Sequence, residues 1–346
     1  MIPQVRELQE TLRLAKEEMA AADAWKESLS VMQWFFELGY TLSRLGRHEE
    51  AMDYFLELMS LSEDSLGKEH INTSHGLYSL GVCLAKLGRF EDALHRFEDC
   101  FEVRLNVLGP RDPETIKCMH NIGHSLEKLG RLKDALQVKR DILAIKEHML
   151  DPEDPALLES QYVVAVQLEK LGQDKEALDL HQQCLETRAK VLGEEHPSTL
   201  RSMCNVAACL EKVGQEQQSL ELKRRCLELH QRVLGVDHRE TLKCMHIVSS
   251  TLSRLGRLEE ALDMMEDCLR LHRRVLGKRH PSTLLCMYSV CHFLGLLDRP
   301  QEEVEMLRDC TRLMKKEKHP YHAVARAGLD RLEAALAFPK ESQLTH

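Results

Sequence analysis

Aromatic residues make up only 5% of this chain, and no run alternating Val, Ile or Thr with polar residues survives more than a few positions. A β-sheet core needs such runs, so an all-β or α/β fold is not expected. No stretch approaches about 18 uninterrupted apolar residues, which predicts no membrane insertion. Met1 to Glu10 carry charges and no apolar h-region, so no secretory signal is expected and the chain should reside in a reducing compartment. Basic residues are not in excess: 47 Lys and Arg stand against 56 Asp and Glu, for a formal charge of −9. Nucleic acid is therefore not the expected partner, because neutralising phosphates takes a basic face. Also missing are a Gly-rich phosphate loop, a G-x-S-x-G elbow, a His-Glu-x-x-His and any CxxC pair. These absences predict a non-enzymatic protein with no catalytic, cofactor or metal site.

What the chain does have is a period. Gly46, Gly88, Gly130, Gly172, Gly214 and Gly256 recur every 42 residues, mostly within Leu-Gly-Arg or Leu-Gly-Gln. Asp298 stands where a seventh glycine would fall, marking the last copy as the least regular. A fixed period of this length means stacked copies of one supersecondary unit rather than a globule around a buried site. The third copy shows the unit. Asp112 can cap a helix, Pro113 suits its first position, and Ile116, Met119, Ile122 and Leu126 line one helical face. Leu129-Gly130-Arg131 ends that helix, and a second helix is predicted to carry Ala135, Leu136, Ile142, Leu143 and Leu150. His196-Pro197 and His280-Pro281 open first helices elsewhere, and Val-Leu-Gly closes second ones at Gly109, Gly193, Gly235 and Gly277.

Twelve cysteines raise the question of disulfides, but five of them (Cys100, Cys184, Cys226, Cys268 and Cys310) share one position of the repeat. Equivalent residues of stacked repeats should lie roughly 10 Å apart, the spacing of packed helices. A disulfide needs Cα atoms within about 7 Å. The expectation is a small buried thiol filling a tight helix contact.

At these residues the sequence resembles the tetratricopeptide repeat. The second copy supplies Leu77, Leu80-Gly81, Leu84, Gly88, Ala93, Phe97 and Cys100 in that family's order. Ala93, Ala135, Ala177 and Ala261 hold its close-contact position, from which Ser219 and Glu303 depart. The family's ordinary repeat has 34 residues. The eight extra ones here follow the cysteine position and should lengthen the second helix by about two turns, roughly 12 Å. That long helix, closed by Val-Leu-Gly and followed by x-x-His-Pro-x-Thr-Leu, is similar to the 42-residue repeats of kinesin light chain and nephrocystin. The match covers about Ser28 to Cys310. Neither a long heptad coiled coil nor a nucleotide-binding motif precedes it, so a stand-alone repeat protein is expected.

The implied fold is all-α, a right-handed α-solenoid of about seven helix-turn-helix repeats over residues 28–318. Residues 1–27 are expected to form an N-terminal capping helix, and residues 319–346 a C-terminal capping helix with a frayed tail.

In this family, helix-A side chains outside the core line a peptide-binding groove. Carried onto this sequence, the resemblance implies a column of cations near the turns, including Lys128, Lys170, Lys212 and Arg254. Deeper positions are Lys117, Arg201 and Lys243, with Asn121 and Asn205 expected to pair with a peptide backbone. Tyr78, Tyr162, His120, His124 and His246 complete the face. Near-turn cations also suit a helix C-terminus. Lys117, Arg201 and Lys243 are expected in the first turn, where the dipole disfavours positive charge, and so carry the groove expectation. His120 and His124 have a spacing that metals use, but the sequence offers no third ligand beside them.

The expected function is a scaffold or adaptor binding an extended, acidic peptide segment of another protein. The alternative is a structural subunit of a larger cytosolic, cytoskeletal or ciliary complex that uses its convex surface. The expected location is the cytoplasm, with cytoskeletal or ciliary association implied by the resemblance.

Overall fold

The computed structural model describes residues 29–337, with Arg6, Glu10 and Arg13 before them. Those three are helical, and Arg13 donates to Glu10. Otherwise the expected N-terminal cap lies outside the described residues, as does the tail beyond residue 337. Among the described residues there are fifteen helices and no strand.

Two compact units divide inside one helix, at Leu180 and His181. The first holds α1 (Leu29–Arg44), α2 (His48–Leu66), α3 (Ile71–Lys86), α4 (Phe90–Leu108), α5 (Pro113–Lys128), α6 (Leu132–Glu147), α7 (Pro155–Lys170) and the start of α8 (Asp174–Leu192). From α1 to α7 each helix packs against the next. The second holds the rest of α8, α9 (Pro197–Lys212), α10 (Glu216–Leu234), α11 (Arg239–Arg254), α12 (Leu258–Val275), α13 (Pro281–Leu296), α14 (Pro300–Lys316) and α15 (His322–Ala337). From α9 to α15 the packing is again sequential. Odd-numbered helices up to α13 are the A helices of the repeat, and even-numbered ones are the B helices.

The A-to-B turn owes its form to the period glycine. Gly88 takes φ +80°, and Arg89 N–H reaches back to the Leu84 carbonyl at 2.9 Å, which closes a Schellman-type cap. In the seventh copy Asp298 adopts φ 54° and Arg299 N–H still reaches Leu294 O at 3.0 Å. The turn thus survives without its glycine, in a conformation that Asp tolerates better than most residues. The arginine of Leu-Gly-Arg pairs with an acid three residues on, as Arg89 does with Asp92 and Arg131 with Asp134. These exposed pairs add little to stability.

The A helices start on side-chain caps. Asp112 and Asp154 accept the N–H groups of Glu114 and Ala156. His196, His238 and His280 do the same with Nδ1, accepting from Ser198, Glu240 and Ser282 at 3.2 Å. So the loop histidines organise helix starts, as read from the sequence.

The B helices run long, with α4, α8 and α10 continuing eight residues past their cysteine to Leu108, Leu192 and Leu234. The third copy is an exception: α6 stops at Glu147, so Leu150 lies beyond the helix predicted to carry it.

Inside each repeat, the close contacts follow side-chain size. Ala51, Ala93, Ala135, Ala177 and Ala261 are fully buried, and Ser219 joins them by donating its hydroxyl to Ala207 O at 2.7 Å. Gly81 faces Phe97 so closely that a Cβ would sit 2.8 Å from its ring, whereas at Gly123 the nearest side-chain atom would be 3.6 Å away. Gly81→Ala is therefore expected to destabilise by about 1–3 kcal/mol. Gly123→Ala should be neutral or stabilising, because alanine is the better helix former. Urea unfolding of the two variants checks the contrast.

The recurrent cysteine behaves as a packing thiol. Cys100, Cys226, Cys268 and Cys310 are buried, and each points at the carbonyl 26 residues earlier, at 3.2 to 3.8 Å. Sulfurs at different positions of the repeat do approach one another. Cys100 and Cys118 lie 18 residues apart, on α4 and α5, with their sulfurs 3.2 Å apart as free thiols.

Candidate functional site

The A helices expose a face between the buried positions that pack on B. In the first unit, Lys117 and His120 stand exposed on α5, and Asn121 is half-buried beside them. Lys117 lies 5.1 Å from the centre of the Tyr78 ring, whose hydroxyl accepts from Asn121 Nδ2 at 2.8 Å. Burial pushes the Tyr78 hydroxyl pKa up. His120, hemmed in by surrounding protein and near Lys146 and Lys139, has its pKa pushed down. A concavity of about 410 Å³ opens here, walled by Ile116, Lys117, His120, Lys146, Met149 and Leu150, among others.

The second unit repeats this site 126 residues later, on α11. Lys243 is exposed and His246 half-buried, and they share a cavity of about 770 Å³ with Leu242, Ile247, His272, Val275, Leu276 and Leu285. Four of these apolar residues are exposed: Ile247, Val275, Leu276 and Leu285. Val275-Leu276 belongs to a row that sequence reasoning read only as helix endings. Val107-Leu108, Val191-Leu192 and Val233-Leu234 are exposed in the same register. The signal was available: large apolar pairs recurring just before a turn glycine, where no core contact requires them.

Several expectations need correction. Lys117 and Lys243 are each the fifth residue of their helix, not first-turn residues, and the first turn supplies each with an acid. Lys117 pairs with Glu114 at 3.5 Å and Lys243 with Glu240 at 2.8 Å. Their charge therefore has a local structural reason as well. Arg201, likewise fifth in α9, is exposed. Asn121 is not free to pair with a peptide backbone through its amide N–H, which Tyr78 and the Lys117 carbonyl already accept. Asn205 differs, since its Nδ2 is buried with no hydrogen-bond partner.

The near-turn column is partly neutralised. Lys170 pairs with Glu127 at 2.7 Å and Arg254 pairs with Glu211. Each of these carboxylates also receives a largely buried lysine from the B helix, Lys139 or Lys223. Lys128 and Lys212 are exposed, Tyr162 is half-buried on α7, and His124 packs edge-on against Phe90 at 6.4 Å.

A buried polar slot runs beside the cysteines. On α4 it is filled by Arg104, fully buried, which donates to Ser74 Oγ at 3.2 Å and to the Glu114 carbonyl and carboxylate at 2.9 Å. On α6 it holds Lys146, which donates to Ser160 Oγ at 2.8 Å, and on α8 Arg188, which donates to Ser202 Oγ at 2.7 Å. On α10 and α12 the same register carries His230 and His272. There the structure gathers soft donors: His246, Cys268, His272 and Cys286 lie with their ligand-type atoms all within 4.8 Å of one another, as do those of Cys226, His230 and Cys244. A CxxC pattern does not reveal these groups, because the members of one come from two successive helices and those of the other from three. Counting at spacings of 4, 18 and 22 within the 42-residue register does.

No helix among the described residues is long and apolar enough to cross a membrane. No curated protein sequence matches this chain. Among solved structures, the nearly identical repeats of a kinesin light chain-type protein from Podosopora anserina align with a TM-score of 0.52 at 24% identity. That alignment covers 60% of this chain and 98% of that one. The STAND ATPase PH0952 from Pyrococcus horikoshii, whose sensor is made of tetratricopeptide repeats, aligns with a TM-score of 0.58 at 15% identity, over 93% of this chain and 46% of that one. BtubC (BKLC) from P. vanneervenii gives 0.50 at 12% identity, over 67% of this chain and 92% of that one. These likenesses concern the fold. The sequence profile of the tetratricopeptide repeat matches residues 29–106, 76–148, 157–229, 203–272 and 247–316. With its helix pairs, turn glycines and close-contact alanines, this chain belongs to the tetratricopeptide repeat family, with a repeat of 42 residues.

Proposed function

We propose that this protein is a non-enzymatic adaptor whose helix-A face holds an extended segment of a partner protein, acidic in charge with apolar side chains between the acids. One observation carries the reading. In both units an exposed lysine stands at the edge of an apolar-walled concavity, Lys117 in one and Lys243 in the other. Such a site suits a peptide that seats an apolar side chain and offers a carboxylate to the rim. The row of Val-Leu pairs ending the B helices supports repeated apolar contacts along the segment. A cytoplasmic or cytoskeletal setting fits this reading.

The triple charge reversal Lys117→Glu, Arg201→Glu, Lys243→Glu is expected to weaken capture of acidic peptides from an array by roughly a hundredfold, about 1 kcal/mol per site. Helicity and melting temperature should change little, and capture by the wild type should weaken as salt rises. Undiminished capture by the triple variant would move binding to the convex surface and favour the structural-subunit reading.

A further inference from the structure

The slot beside the recurrent cysteine is built to hold positive charge in the interior. Arg104 fills it on α4 and Lys146 on α6, each meeting oxygen atoms of the next A helix. On α12 the slot holds His272 instead, only 6% exposed, and the neighbouring positions supply sulfur and nitrogen. Cys268 and Cys286 are fully buried, and His246 reaches the group from α11. Neither Arg nor Lys stands at this position of the copy, and the donors gathered around it are those that bind a soft metal ion.

We propose that His246, Cys268, His272 and Cys286 form a Zn2+ site that ties α11, α12 and α13 together. Tetrahedral zinc, with bonds of about 2.3 Å to sulfur and 2.0–2.1 Å to nitrogen, sets its ligand atoms roughly 3.3–3.8 Å apart. The four ligand-type atoms already lie within 4.8 Å of one another, so side-chain rotation brings them to that spacing. The His272 Nδ1 lies 2.9 Å from the Cys268 carbonyl, so it donates there and leaves Nε2 its lone pair; a backbone partner of this kind orients metal-binding histidines. Two thiolates and two neutral imidazoles cancel the charge of Zn2+, which suits a buried site. Entry is open through the cavity that His246 and His272 line.

The chain contains its own comparisons. One repeat earlier Cys226, His230 and Cys244 gather the same way, but Cys204 stands at the His246 position, 3.7 Å from Cys226 and outside the compact set. One repeat later the slot holds Met314, which is buried and brings no nitrogen.

The test is titration of the full, reduced chain with Co2+ as a spectroscopic probe, followed by displacement with Zn2+. The expected result is a tetrahedral Co2+ spectrum with thiolate charge transfer that Zn2+ abolishes. Cys286→Ser should remove one equivalent, and Cys310→Ser, a packing thiol outside the site, should leave binding intact. Because a buried substitution can disturb folding, His246→Ala serves as the second variant: it is only half-buried and should weaken the site more than about tenfold while the helical spectrum persists. No thiolate-bound Co2+ in the wild type, or full binding retained in both Cys286→Ser and His246→Ala, would overturn the assignment. Neither outcome depends on peptide capture, so the groove reading stands or falls separately.

Discussion

Arg104→Ala is expected to lower unfolding free energy by about 3–5 kcal/mol, the largest single-site effect in the first unit. The guanidinium is 1% exposed, donates to Ser74 and Glu114, and lies 4.9 Å from the Tyr78 ring centre. Alanine would leave a cavity the size of the side chain and remove the donor shared by Ser74 and Glu114. It would also remove the cation that, after the Cys100 hydrogen bond and against burial, holds the Cys118 thiol pKa down. Arg104→Lys should not rescue, since an ammonium cannot meet Ser74 and both Glu114 oxygens in one plane. Arg104→Met should recover roughly half of the loss, because it refills the volume and Glu114 is exposed enough to be hydrated. Denaturant unfolding of the three variants measures this order; an alanine variant as stable as wild type would show that the slot is not structural.

The second large effect belongs to Glu127. Its carboxylate lies 2.7 Å from both Lys139 and Lys170, and Lys139 also donates to Gln167, which donates in turn to the Leu132 carbonyl. Lys139 is only 13% exposed, so Glu127→Gln leaves a nearly buried ammonium without its counter-charge. The expected cost is about 3 kcal/mol, and the exposed Lys170 contributes little of it. Burial pushes the carboxyl pKa up, but the two lysines outweigh it, and the native value lies below the ordinary 4.5. The sign follows from linkage. The stabilisation is present in full above the unfolded-state pKa and is lost as pH falls through the lower native one. The difference between wild type and Glu127→Gln should therefore be constant near neutrality and shrink only below about pH 4.5. Adding Lys139→Met to the glutamine variant should restore part of the stability, giving a coupling energy in a double-mutant cycle.

The 42-residue period made the architecture readable because every constraint it marks is local. Turn glycines, Asp and His caps and the alanine contacts of A with B depend on residues close in sequence, and they stand where the spacing put them. The cysteine column was also legible as packing, since one small buried thiol recurs at one helix contact. Junctions between successive repeats were harder to read. Whether Cys100 meets Cys118, or whether Lys139 meets Gln167, depends on how a B helix leans on both of its neighbours, and no local pattern states that. The acids before Lys117 and Lys243 were legible at i−3, but placing those lysines in the first turn hid their meaning. Asn121 fell to the same limit, because its partner Tyr78 comes from the preceding repeat.

The buried slot beside the cysteines gives each seam between repeats its own lock. Arg104 meets Glu114 of the following repeat, Lys146 meets Ser160, and Arg188 meets Ser202, while His230 and His272 sit among thiols. Identical turns and alanines would let any repeat follow any other. The locks do not. Splice out the segment from one turn glycine to the next, and the chain keeps its rhythm but brings a key to the wrong door. A polar group would then lie buried opposite a partner meant for another seam. The order of the copies is thus written in their interiors, and this array is an ordered text rather than a string of interchangeable beads.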